Sequence, residues 1–132
     1  EKGGVATSAG SGSWTDSADL NIGQVARAMF ASVSTGSASE STVIVVNSDD
    51  VARSIDSGAT FAKYTNALPH GSARSVTSDG EGTWVVTHDS GKISYSNDDG
   101  ASWSDGTDSG AVTFGSGTED IDAVAVNKYL PL

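Results

Sequence analysis

The chain of 132 residues contains no cysteine and only two prolines. Disulfides and thiolate metal sites are therefore excluded, and the redox compartment stays undetermined. Basic residues are scarce, 7 Lys and Arg against 17 Asp and Glu, for a net charge of −10. Phosphate backbones and anionic lipid surfaces need a basic patch, and none is visible, so neither nucleic acid nor a membrane surface is an expected partner. The plain reading of such acidity is solubility and self-repulsion. No apolar run approaches the roughly 20 residues that cross a bilayer, so membrane insertion is not expected. The chain opens on Glu1 with no signal-peptide pattern behind it, which reads as a processed or excised start.

What the chain does hold is glycine, 16 residues of it, together with abundant Ser, Thr and Asp. Its apolar residues are largely β-branched or aromatic and come in short clusters, such as Thr42-Val43-Ile44-Val45-Val46 and Thr83-Trp84-Val85-Val86. Short β-rich clusters punctuated by turn formers predict an all-β protein.

A repeat organises these clusters. Ser54-Ile55-Asp56-Ser57-Gly58-Ala59-Thr60-Phe61 and Ser96-Asn97-Asp98-Asp99-Gly100-Ala101-Ser102-Trp103 both read Ser-x-Asp-x-Gly-x-(Ser/Thr)-aromatic, 42 residues apart. A worn third copy lies at Thr7-Ser8-Ala9-Gly10-Ser11-Gly12-Ser13-Trp14, without the Asp and the Gly. Around the second box the order is strand, tight turn, strand, tight turn, strand, box, and the same order precedes the first. Ile121-Asp122-Ala123-Val124-Ala125-Val126 starts the cycle again. Each unit is thus expected to be a four-stranded meander whose last hairpin is the box. Within it, Asp56 and Asp98 accept hydrogen bonds from their own turn. Gly58 and Gly100 supply a conformation that a Cβ resists. Ser54 and Ser96 open the box, Thr60 and Ser102 before the aromatic can bond back across the turn, and Phe61 and Trp103 turn inward against a neighbouring sheet, a burial worth about 1.5–3 kcal/mol for such a ring.

The pattern resembles the Asp-box, or BNR, repeat found in sialidases, sorting receptors and phage virion proteins. The resemblance covers roughly residues 25–129 and implies a β-propeller. The expected fold is all-β, an arc of about three four-stranded antiparallel blades in one segment: a blade part at 1–20, blades at 21–67 and 68–116, and a blade part at 117–132. Propellers typically close with four to eight blades. Three leave a bare inter-blade face, so further subunits, a homo-oligomer or a larger propeller, are expected partners.

A sialidase would use a triad of arginines, and the chain has Arg27, Arg53 and Arg74. The Phe/Tyr-Arg-Ile-Pro motif of that family is absent, and the box travels without the site, so no catalytic residue is expected. Arg27 and Arg74, equivalent in successive units, are candidate anion-binding residues; pairing with nearby carboxylates is the plainer reading. Asn47-Ser48-Asp49-Asp50 and Asn97-Asp98-Asp99 offer oxygen ligands, yet neither has the EF-hand spacing. No cofactor is expected, with calcium as the one candidate. His70 and His88 lack a third metal ligand, and no serine nucleophile elbow occurs. Glu81 and Glu119 fall in turns or loops. Trp14, Trp84, Trp103, Phe61 and Tyr95 are expected to face the core rather than stack on sugars. The functional expectation is a non-catalytic structural or recognition module of an extracellular assembly or virion, with a surface glycan as a candidate ligand. The alternatives are a fragment of a secreted Asp-box glycoside hydrolase, or a protein-binding propeller such as an assembly factor or receptor ectodomain.

Overall fold

A computed structural model describes residues 4–7, 15–19, 28–33, 41–106 and 124, with backbone alone for the first three stretches. Among the described residues there is no α-helix; ten strands and one short 3-10 turn make the chain all-β. Strands β1 (Gly4–Thr7) and β2 (Thr15–Asp19) form a hairpin. The next four, β3 (Ala28–Val33), β4 (Ser41–Asn47), β5 (Asp50–Ser54) and β6 (Ala62–Tyr64), form one antiparallel sheet in chain order. A second sheet repeats the arrangement with β7 (Ala73–Ser78), β8 (Trp84–His88), β9 (Ile93–Ser96) and β10 (Ser104–Asp105). Each is a meander, the connectivity that tight turns impose on consecutive strands.

Local chemistry sets the turns. The β4–β5 connection is a two-residue turn closed by Asn47 opposite Asp50, with Ser48 at φ 45°. Between β7 and β8, Asp79 accepts from the amides of Glu81 (2.8 Å) and Thr83 (3.1 Å), an Asx turn in which the side chain imitates a backbone acceptor. Between β5 and β6, and between β9 and β10, the connection is the box. The innermost pairs, Arg53 with Ala62 and Tyr95 with Ser104, enclose eight residues in both cases.

The N-terminal hairpin departs from this. Its closing pair is Thr7 with Thr15, which encloses seven residues. The worn copy at Thr7–Trp14 therefore does not share the register of the complete boxes. Residues 8–14 themselves lie outside the described residues. So do Arg27, Glu119 and most of Ile121–Val126, of which Val124 alone is described and lies outside any strand.

The core fills the space between the two four-stranded sheets. Ile44, Val46 and Val51 from the first meet Ala73, Val76, Trp84 and Val86 from the second, with Leu68 of the connecting segment between them. Side chains alternate along a strand, so which residues meet defines which faces meet. Ser54 lies opposite Val43, and its counterpart Ser96 lies opposite Trp84. Val43 and Val45 are thus the counterparts of Trp84 and Val86. The second sheet presents its Trp84–Val86 face to the Ile44–Val46 face of the first, so unlike faces of the repeat meet. On its other face the first sheet is covered as well, with Val45 and Ala52 fully buried. The corresponding remaining face of the second sheet buries Thr77 and Thr87, half-buries Val85 and Ile93, and leaves Tyr95 exposed.

Two expectations about aromatic residues need correction. Tyr95 does not face the core: the residue is 37% exposed, because it points to the opposite side of β9 from Ser94 and Ser96. Among the described residues the largest fully buried side chain is Trp84 of β8 rather than a box aromatic. Trp103 is only half-buried and packs at the margin of the core, and Phe61 is half-buried outside it.

Candidate functional site

The two boxes are congruent bond for bond. In the first, the Ser54 hydroxyl donates to Asp56 Oδ1 (2.6 Å) and accepts from the amide of Gly58 (2.8 Å). Asp56 Oδ1 accepts from the Thr60 amide (2.8 Å), and Oδ2 from the Thr60 hydroxyl (2.5 Å). In the second, Ser96 donates to Asp98 Oδ1 (2.7 Å) and accepts from Gly100 (2.9 Å). The Ser102 amide reaches Asp98 Oδ1 at 2.8 Å, and the Ser102 hydroxyl donates to Oδ2. The residue before each glycine has φ 59°, and Gly58 and Gly100 have φ 88° and 80°. Two successive left-handed residues reverse the chain, and glycine takes the second without steric cost.

These bonds favour the charged carboxylates. The hydroxyls of Ser54 and Thr60, then the Thr60 amide, hold Asp56 at about 2; the Ser102 hydroxyl and amide, then Ser96, hold Asp98 at about 2.

Asp99, a variable position of the second box, joins the two sheets. Its backbone carbonyl accepts from Arg53 Nε (2.8 Å) and its carboxylate lies 3.5 Å from Arg53 Nη2. The carboxylate also accepts from the Thr42 hydroxyl (2.5 Å) and the Trp84 indole (3.0 Å). Next to it, a Cβ added to Gly100 would stand 2.7 Å from Ile44 Cδ1, so the second box sits directly on the first sheet. In the first box the place of Asp99 belongs to Ser57, which closes only a local pair of bonds with Ser41.

The two described arginines each pair with a carboxylate of the chain. Arg53 is held by Asp99, and Arg74 pairs with Asp89 of the turn at Asp89–Gly91. Arg74 is the extra residue of a bulge between Ala73 and Ser75, which turns it out of the ladder toward that turn. Arg27, its expected companion, lies outside the described residues.

Among the described residues no group of three or more His, Cys, Asp or Glu is placed to hold a metal. In the acidic turn, Asp50 accepts from the Asn66 amide (3.0 Å) and lies 3.5 Å from Lys63 Nζ.

One polar chain has no signal in the sequence. His88, fully buried, sits 3.0 Å from the Gly71 carbonyl through Nδ1 and 2.8 Å from the Ser94 hydroxyl through Nε2. A carbonyl can only accept, so Nδ1 carries the proton and Nε2 accepts from Ser94. The His70 ring stands edge-on to it at 5.5 Å and bonds Asp105 at 2.9 Å. Burial, then the neighbouring His70, keeps His88 below the ordinary histidine value. Ser94 and His88 have the spacing of a nucleophile and base, but both are fully buried, so the pair braces the second sheet.

Comparison of the chain with family models, with curated proteins and with solved structures finds no match.

Proposed function

We propose that this chain is a non-catalytic stacking segment of an Asp-box β-propeller, serving as a structural or recognition part of an extracellular assembly. The observation that carries the reading is the meeting of unlike faces across congruent repeats. A face-to-unlike-face contact is heterologous: it adds units in one rotational sense, and rings form when the rotation closes. The corresponding face of the second sheet, with Val85 and Ile93 half-buried, is where a following unit would stack. Among chains that use such units, a virion tail, fibre or decoration protein is the setting favoured by the Asp-box resemblance and by a cysteine-free composition rich in Ser, Gly and Thr. Arg53 and Arg74, engaged with carboxylates of the chain itself, support a scaffolding role over a sialidase-like one.

Native mass spectrometry of the full chain, beside a panel of chromogenic glycosides, tests this. The expected results are a defined multi-chain species and no turnover. A strictly monomeric chain would remove ring closure by pairing, and turnover of any glycoside would remove the non-catalytic reading.

A further inference from the structure

Eight-residue boxes leave some positions without a part in the hairpin, and these are where the two repeats differ. At the first hairpin they hold Arg53, Ile55 and Ala62; at the second they hold Tyr95, Asn97 and Ser104. Arg53 is consumed by Asp99, and Ile55 is an apolar side chain 57% exposed. The second set is different in kind: a phenol ring, a carboxamide and a hydroxyl, all exposed. With Ser96, Asp98 and Ser102 they line a half-open cavity of about 210 Å³. Tyr95 and Ser104 are direct cross-strand partners, so they share one face of the hairpin.

The geometry points to a binding site for a single neutral sugar ring on this face of the second box. Tyr95 offers an aromatic face, whose negative quadrupole attracts the weakly positive axial C–H groups of a pyranose. Asn97 and Ser104 each provide a donor and an acceptor, the pairing that a vicinal diol requires. Neither they nor Tyr95 are engaged by another side chain among the described residues. Asp98 adds an acceptor. Of the roughly four acceptor sites on a carboxylate, the box uses three, from Ser96 and from the amide and hydroxyl of Ser102. The cavity is smaller than the roughly 300–1,000 Å³ that holds a drug-sized ligand, which limits it to about one ring. Tyr95 lies on the face where a following unit would stack, so the site is open on a free or terminal second sheet; groups this exposed bind a monosaccharide weakly, with a Kd on the order of millimolar.

At the equivalent end of the first hairpin the Asp99–Gly100 turn meets Arg53, a guanidinium answering a carboxylate, while Ile55 and Ala62 stay exposed. Tyr95, Asn97 and Ser104 carry no positive charge. A neutral, hydroxyl-rich ligand fits them better than an acidic turn does.

The test is titration of the ¹⁵N-labelled full chain with methyl glycosides of glucose, galactose, mannose and N-acetylglucosamine, both anomers of each. At least one should give saturable shifts at the Asn97 side-chain amide and the Ser102–Ser104 backbone amides. The double variant Asn97→Ile, Ser104→Ala should weaken that binding about tenfold or more. It installs the residues that the first hairpin already carries, so the fold accepts it, and unchanged shifts elsewhere verify this. Tyr95→Ala should weaken binding likewise. The proposal is overturned if no glycoside saturates, or if binding survives the double variant. It is also overturned if the Asn97 and Ser104 signals move with protein concentration instead, as they would when another chain's turn fills the cavity. The comparison with the first hairpin and the choice of replacement residues rest on the repeat reading; a failed titration leaves the mass and turnover results untouched.

Discussion

Asp56 and Asp98 each gather two hydroxyls and an amide around one carboxylate, and this makes the hairpins sensitive to acid in a defined window. A carboxyl at about 2 when folded, against 3.8 for the ordinary value, binds fewer protons in the folded state than in the unfolded one. The stability it adds is complete above about pH 4 and is lost as pH falls toward 2. Thermal unfolding measured across that interval should show a drop that becomes shallower in Asp56→Asn and in Asp98→Asn, and shallowest in the double variant. His88 acts higher. Its folded form is held neutral, so the unfolded chain takes up the extra proton, and stability should decline as pH falls below about 6.5. His88→Asn, the residue found at the equivalent Asn47, should remove that decline while leaving the one below pH 4; equal slopes in the two proteins between pH 7 and 5 would refute it. The box residues were legible in the sequence because each performs one local task that its chemistry dictates. The His88–Ser94 contact was not, because it joins positions that the first repeat fills with Asn47 and Ala52 and follows no repeat pattern.

Gly100 shows how an element is held by another. Its φ of 80° already disfavours a side chain, and Ile44 Cδ1 occupies the space that a Cβ would need. Gly100→Ala should therefore cost about 1–3 kcal/mol, combining backbone strain with overpacking. Ile44→Val removes the obstructing methyl at about 0.5–1.5 kcal/mol on its own. Combined, the two should cost less than their sum in urea unfolding, because the clash is gone and only the strain remains; strict additivity would mean that the two groups do not meet. At this scale the two four-stranded meanders and the positions of the two complete boxes were readable, since β-branched clusters and Gly/Asp turns mark strand ends independently of tertiary context. The orientation of aromatic residues was harder. Tyr95 and Trp103 are eight residues apart on one hairpin, and alternation on β9 sends Tyr95 to the face away from the core. The bulge that diverts Arg74 to Asp89 is equally silent in the sequence, because a one-residue insertion in a ladder depends on the partner strand.

At the scale of the molecule, the sheets are joined by a generic apolar interface, by a backbone bond from the Ala73 amide to the Ser48 carbonyl (2.9 Å), and by a specific polar cluster at Asp99. Ile44, Val46, Trp84 and Val86 would tolerate small slides against one another, as apolar surfaces do. Asp99 admits one register, because Thr42, Arg53 and Trp84 converge on it from two sheets. The sequence sets Asp99 in the acidic stretch Asn97-Asp98-Asp99 and Arg53 directly before Ser54 of the first box; that they meet follows from the stacking of unlike faces, which repeats alone leave open. The contact predicts a coupling. Arg53→Met keeps the aliphatic stem and Asp99→Asn keeps the shape. Each alone should destabilise the chain, and the double variant should fall short of their sum by about 0.5–1 kcal/mol, the range for a partly exposed ion pair. High salt should shrink that coupling, since screening acts on the charge pair and leaves the Arg53 bond to the Asp99 carbonyl in place. The same cycle with Arg74 in place of Arg53 should give no coupling, because Arg74 answers to Asp89 within its own sheet. A coupling between Arg74 and Asp99 equal to that of Arg53 would mean that the sheets are joined by a diffuse charge field rather than by this clasp.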